Sequence, residues 1–109
     1  TDLRIKKAKD LLEHSDLKTF EISDAVGIHD PAYFSVLFKK YTGMTIFQYL
    51  NEFRILCSQE MLRSSHITLR EIALENGFVN EFYFSRVFKK ITGNTPTDYR
   101  LSFLDFPDK

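Results

Sequence analysis

Between Gly77 and Pro96 the chain reads GFVNEFYFSRVFKKITGNTP. Phe84, Val87, Phe88 and Ile91 fall at the i, i+3, i+4, i+7 spacing of one helical face, so the stretch is expected to form a helix that buries them. Asn80 stands where an N-cap accepts a free backbone N–H, and Gly93 where a left-handed residue ends a helix. Phe82, Ser85, Arg86 and Lys89 then share the outward strip. An apolar side chain, a hydroxyl, a guanidinium and an ammonium suit a DNA groove, where arginine addresses guanine and an apolar group meets a thymine methyl. The strip equally suits a solvated helix face with one stray aromatic, and the stretch alone leaves both readings open.

The chain also contains a second version of this pattern. Arg4–Tyr49 laid over Arg54–Tyr99 without a gap gives 17 identities in 46 positions. The matches include Gly27 with Gly77, Tyr33-Phe34-Ser35 with Tyr83-Phe84-Ser85, Phe38-Lys39-Lys40 with Phe88-Lys89-Lys90, and Thr42-Gly43 with Thr92-Gly93. Two copies are too few for a stacked array, so two similar recognition units are expected instead.

Composition narrows the classes. The 109 residues include eleven Phe and five Tyr with 43% hydrophobic content, enough to build cores and to argue against disorder. No run is long and apolar enough for a membrane span, and TDLRIKKAKD lacks the apolar centre of a signal peptide. The single Cys57 fits a reducing compartment and a packing role, and no cysteine or histidine cluster has metal-ligand spacing. Fifteen basic residues balance fifteen acidic ones. Net neutrality argues against bulk affinity for nucleic acid, but Lys39-Lys40 and Lys89-Lys90 occupy equivalent places and can focus positive charge on one face. The abrupt start at Thr1 leads to the expectation of a piece of a longer protein.

In chain order, Leu3, Ile5, Ala8, Leu11 and Leu12 define a first amphipathic helix, and Leu17, Phe20 and Ile22 begin a short second one that ends near Val26. Gly27 permits a tight turn and Ile28 returns to the core. Asp30-Pro31 is an N-cap followed by a first-turn proline. The helix it starts turns Phe34, Leu37, Phe38 and Tyr41 inward and Ala32, Ser35, Val36 and Lys39 outward. Two short helices around a glycine turn are the sequence form of a helix-turn-helix, shared with generic helical hairpins. Thr45 and Gln48 make a capping box for a helix from Ile46 to about Leu62, with Phe47, Leu50, Phe53, Arg54, Cys57 and Met61 near one side. Such a rod is roughly 25 Å long and, with the packed units, could hold two recognition helices one DNA turn, about 34 Å, apart. Thr68 with Glu71 opens the second unit, and Thr95-Pro96-Thr97-Asp98 starts a last helix carrying Tyr99 and Arg100. Phe103, Leu104 and Phe106 either dock the tail or, for Phe103, stand half exposed.

At Ile67–Arg100, ITLREIALENGFVNEFYFSRVFKKITGNTPTDYR resembles the C-terminal signature of the AraC/XylS family of bacterial transcription regulators. The I-x-x-I-A-x-x-x-G-F element, with Leu69 allowed before Ile72, is followed by Y-F-S-R-x-F-K-K-x-x-G-x-T-P and Y-R. Upstream, GMTIFQYLNEFRI is similar to the family's linker helix, and the first unit to its more variable first motif. The resemblance implies an all-α domain of seven helices: a first helix-turn-helix unit at 1–44, a linker helix at 45–63, and a second unit with the C-terminal helix at 64–109. It implies base contacts from Ala32, Ser35 and Val36 and from Phe82, Tyr83 and Arg86. Phosphate contacts would come from Lys39, Lys40, Lys89 and Lys90 and from helix starts at Asn80 and Thr95. Tyr83, like Tyr33, also fits a structural role at the edge of the buried face, and Arg54 fits either an internal pairing or DNA. Ser58 stands where the family commonly has alanine.

The expected function is sequence-specific binding of double-stranded DNA in a bacterial cytoplasm, as the output domain of a transcription regulator. An N-terminal regulatory or dimerisation domain and RNA polymerase are the further partners implied; no cofactor, metal or membrane is. Ala32 and Val36 carry no donor, so the second unit is expected to supply most direct readout and the site to be asymmetric. The competing class is a protein-interaction domain with a vestigial DNA face. An enzyme is disfavoured, because His14, His29 and His66 lie at helix ends and turns with no nucleophile–base grouping.

Overall fold

Each half of the chain is punctuated the same way. Asp30 accepts the Ala32 N–H at 3.0 Å and Asn80 accepts that of Tyr83 at 2.8 Å, so both recognition helices begin on a side-chain cap. Both end on a glycine in the left-handed region, Gly43 at φ 81° and Gly93 at φ 88°, whose N–H groups return to the Lys39 and Lys89 carbonyls. The capping box at Thr45 and Gln48 forms in both directions, as does the one at Thr68 and Glu71.

The computed structural model describes residues 2–104. Among them are α1 (Asp2–His14), α2 (Thr19–Ala25), α3 (Pro31–Thr42), α4 (Ile46–Ser64), α5 (Leu69–Glu75), α6 (Glu81–Thr92) and α7 (Pro96–Leu104). The architecture is all-α with two helix-turn-helix units, α2–α3 and α5–α6. The chain divides into two compact units, Thr1–Leu50 and Asn51–Lys109, each with its own core. The first gathers Ile5, Ala8, Leu12, Ile22, Phe34 and Phe38 around the start of α4 at Ile46. The second gathers Ile55 and Leu62 of α4 with Ile72, Phe78, Phe84 and Phe88.

Several apolar positions lie elsewhere than their spacing predicts. Leu3 is 81% exposed, because it precedes Ile5 by two residues, about 200° around the helix. Leu17 and Phe20 are exposed at the entry to α2, leaving Ile22 to fill the core. Tyr41 and Ile91 are exposed at equivalent places. Each lies one turn beyond the buried Phe38 or Phe88, on a twelve-residue helix that its seven-residue partner is too short to cover. On α4 the most buried line is Asn51, Ile55, Ser58 and Leu62. Leu50, Phe53, Arg54, Cys57 and Met61 are half-buried on its flank, and Phe47 is 62% exposed. Two of the four most buried positions are polar, so an apolarity pattern skips them. Ser58 is small enough for the space and donates its hydroxyl to the Ile55 carbonyl at 2.7 Å. Phe103 lies against Tyr99 with ring centroids 5.0 Å apart and remains partly exposed. Phe106 and the side chain of Leu104 lie outside the described residues.

Candidate nucleic-acid interface

In the second unit a line of rings fixes the inner face of α6. Phe78 lies 5.2 Å from Phe84, Phe84 5.7 Å from Phe88, and Phe88 5.5 Å from Tyr99, in tilted or edge arrangements favoured by the ring quadrupoles. With Phe84 and Phe88 buried, the rotation of α6 is set, and Phe82, Arg86, Lys89 and Lys90 turn to solvent, with Ser85 half-buried between them. Phe82 is 72% exposed.

The first unit repeats the scheme with Phe34, Phe38 and Tyr49, their neighbouring centroids 6.1 and 5.5 Å apart. Ala32, Ser35, Val36, Lys39 and Lys40 of α3 are exposed, so every position expected to face DNA on this helix faces outward. Beside α3 a solvent-open cavity of about 730 Å³ is lined by Val36, Lys39 and Phe47, among others. Phe47 was expected on the buried side of α4. Its repeat equivalent is Thr97, and that polar counterpart was the signal in the sequence that this register points outward.

The two tyrosines differ. Tyr83 is half-buried, 6.0 Å from the Phe78 ring, with the Arg86 guanidinium carbon 5.8 Å from its centroid. Tyr33 is 55% exposed, and the residues equivalent to Phe78 and Arg86 are Ile28 and Val36. Asn80 and Thr95 accept through their side-chain oxygens as caps, Thr95 from the Asp98 N–H at 3.1 Å, which leaves the Asn80 amide NH2, the Thr95 hydroxyl proton and the first-turn backbone N–H groups as donors. Arg54 lies against Gly77: its Nε is 3.0 Å from where a Cβ there would sit. Arg4 stands in the same relation to Gly27, at 3.7 Å from its guanidinium carbon.

Charge is unevenly placed within each unit although it cancels overall, with Arg70 on α5 and Glu81 at the start of α6 as exceptions. Glu21 and Asp24 lie on α2 and Glu71 and Glu75 on α5, whereas α3 and α6 end in the lysine pairs. His29 contacts Asp24 at 3.2 Å, and His14 lies near Asp10 and Glu13. Among the described residues no three histidine, cysteine, aspartate or glutamate side chains gather as metal ligands would.

A family described as a helix-turn-helix domain matches residues 34–102, and one described as bacterial regulatory helix-turn-helix proteins, AraC family, matches residues 12–51. The chain belongs to the AraC/XylS-type helix-turn-helix family. Its fold is similar to that of an AraC-type DNA-binding-domain transcriptional regulator from Chromobacterium violaceum, at 25% identity and TM-score 0.85 over 94% of this chain and 93% of that one. It is similar also to the C-terminal domain of AraT, a response regulator from Geobacillus stearothermophilus, at 26% identity and TM-score 0.82 over 97% and 90%. The DNA-binding domain of AdpA, solved in complex with a target DNA, shares the fold at 22% identity and TM-score 0.76 over 94% and 90%. No curated protein matches the chain in sequence. As an AraC/XylS-type domain the chain is a DNA-binding module and not an enzyme.

Proposed function

We propose that the chain binds double-stranded DNA sequence-specifically as the output domain of an AraC-type transcription regulator, with α3 and α6 entering successive major-groove segments. The observation that carries this reading is the outer strip of α6. Phe82, Arg86 and Lys89 stand exposed on a helix whose rotation is fixed by buried Phe84 and Phe88 and whose start is fixed by Asn80. Arg86 can give guanine two parallel hydrogen bonds, and Phe82 can meet thymine methyls. Ala32, Ser35 and Val36 offer the first unit one hydroxyl and two apolar contacts, so that unit positions the protein and reads methyl groups and shape. Lys39, Lys40, Lys89 and Lys90 neutralise phosphates, and the backbone at the Asn80 and Thr95 helix starts adds N–H donors. The recognised sequence is therefore asymmetric.

The setting is the bacterial cytoplasm, a reading supported by the family; no helix among the described residues is long and apolar enough to cross a membrane. An N-terminal regulatory or dimerisation domain completes the regulator, by analogy with AraT, whose matching part is the C-terminal domain of a response regulator. RNA polymerase is the partner through which promoter occupancy changes transcription.

Selection from random duplex DNA, followed by fluorescence anisotropy on the recovered sites, tests the reading. An asymmetric consensus is expected, and Arg86→Ala should relax preference at one base pair by about 1–3 kcal/mol. Recovery of no consensus by the chain, alone or dimerised through an appended domain, would remove DNA binding from consideration.

A further inference from the structure

The outer strip of α6 poses a problem that its exposure creates. An arginine free in solvent samples many rotamers, and freezing one of them on a base edge opposes binding. Arg86 forms no ion pair among the described residues that would hold it; what it does have is the Tyr83 ring, 5.8 Å from its guanidinium carbon. That ring is itself held. Its backbone N–H is bound by Asn80, and its ring lies tilted against Phe78, 6.0 Å between centroids, which is 3% exposed and packed against Phe84. The i, i+3 spacing on α6 brings Tyr83 and Arg86 to one side of the helix. The result is a chain of contacts from the core to the guanidinium, through tilted rings: Phe84, Phe78, Tyr83, then Arg86.

We propose that Tyr83 is a positioning residue, whose ring presets the Arg86 guanidinium for guanine instead of contacting a base through its hydroxyl. The first unit serves as an internal comparison. There the equivalents of Phe78 and Arg86 are Ile28 and Val36; the aromatic support and the cation are both missing, and Tyr33 stands 55% exposed. The half-buried state of the second tyrosine thus accompanies the cation it would hold. The Tyr83 hydroxyl makes no hydrogen bond among the described residues, so the ring, not the phenol oxygen, is the part with partners. The inference rests on the base-reading role proposed for Arg86.

A double-mutant cycle on the selected DNA site separates the two. Discrimination at the base pair lost in Arg86→Ala is measured for Tyr83→Phe, Tyr83→Leu, and each of these combined with Arg86→Ala, with thermal unfolding of every variant alongside. Tyr83→Phe keeps the ring and should keep wild-type discrimination. Tyr83→Leu should lower it about two- to fivefold, the equilibrium equivalent of an exposed cation–π contact, and should lower it no further once Arg86 is alanine. Equal loss from Tyr83→Leu in both backgrounds would mean general damage to the helix and overturn the proposal. A new loss of preference in Tyr83→Phe would make the phenol a base reader and overturn it too. If Arg86→Ala relaxes no base pair, the reading of Arg86 falls and this inference with it; if Arg86→Ala relaxes one and Tyr83→Leu leaves it intact, only the inference falls.

Discussion

Gly77 shows how much one residue can hold in place. Its φ of 85° lies in the left-handed region, and a Cβ there would approach the Arg54 Nε to 3.0 Å. At Gly27, φ 84°, the nearest atom of Arg4 is 3.7 Å away, and at Gly43 and Gly93 nothing lies within 4 Å. Alanine at Gly43 or Gly93 should therefore cost only the backbone strain, about 1–2 kcal/mol. Alanine at Gly27 should cost much the same, since 3.7 Å is ordinary contact. Gly77→Ala should cost the same strain plus a small increment, because the Arg54 guanidinium, the far end of a flexible side chain, has only to give by a few tenths of an ångström. Chemical denaturation of the four variants gives the order. Tyr49 makes a residue-scale prediction about pH. Burial and a hydrogen bond to the Glu13 carboxylate raise its phenol well above the ordinary value. A raised folded pKa stabilises fully below the unfolded value, about pH 10, and the contribution is lost as the pH rises beyond it while the unfolded chain ionises first. Stability should fall from about pH 10 upward in the wild type, and Tyr49→Phe should flatten that decline.

At the scale of the helix, α6 depends on its start. Asn80 satisfies the Tyr83 N–H, so Asn80→Ala should lower stability by about 1 kcal/mol and speed hydrogen exchange in the first turn of α6, where Phe82 stands. The same start was legible in the sequence, as were those at Asp30, Thr45, Thr68 and Thr95, because a cap is local chemistry written within four residues. The glycine stops were legible for the same reason. The buried side of α4 was not: Asn51 and Ser58 lie in its deepest line, and only the packing of the second unit decides that small or polar residues belong there. Tyr41 and Ile91 escaped because periodicity gives an angle around a helix but not the length of the neighbour that covers it. The outer strips of α3 and α6 were readable as the complement of Phe34/Phe38 and Phe84/Phe88. The environment of Tyr83 was not, since its support, Phe78, lies across a turn outside the helical period. Arg54 left two readings open, and its place against Gly77 was not legible either, because that contact joins residues 23 apart.

For the whole molecule, formal charge is zero, yet the lysine pairs close both recognition helices while acidic residues mark the helices before them. Binding should accordingly depend on salt through a few local contacts and not through a general basic field. If the four lysines each neutralise one phosphate, affinity for the selected site should fall about a hundredfold between about 50 and 200 mM salt. Lys89→Ala should make the logarithmic slope shallower by about one, with base preferences unchanged. A titration of wild type and variant across that salt range measures both. A slope near zero would place the affinity elsewhere than on phosphates.

The two separate hydrophobic cores have a consequence for how such a protein changes over time. In each unit the side chains that keep the helix folded and those that meet the outside lie on opposite faces of one helix, and each unit gathers its own set of buried residues. The outer strip of one copy can drift, as Val36 and Arg86 already have at equivalent places, while its Phe-Lys-Lys ending and the other copy stay as they are. Such a duplicated module can be retargeted half a site at a time, with the unchanged half still anchoring the regulator to its promoter.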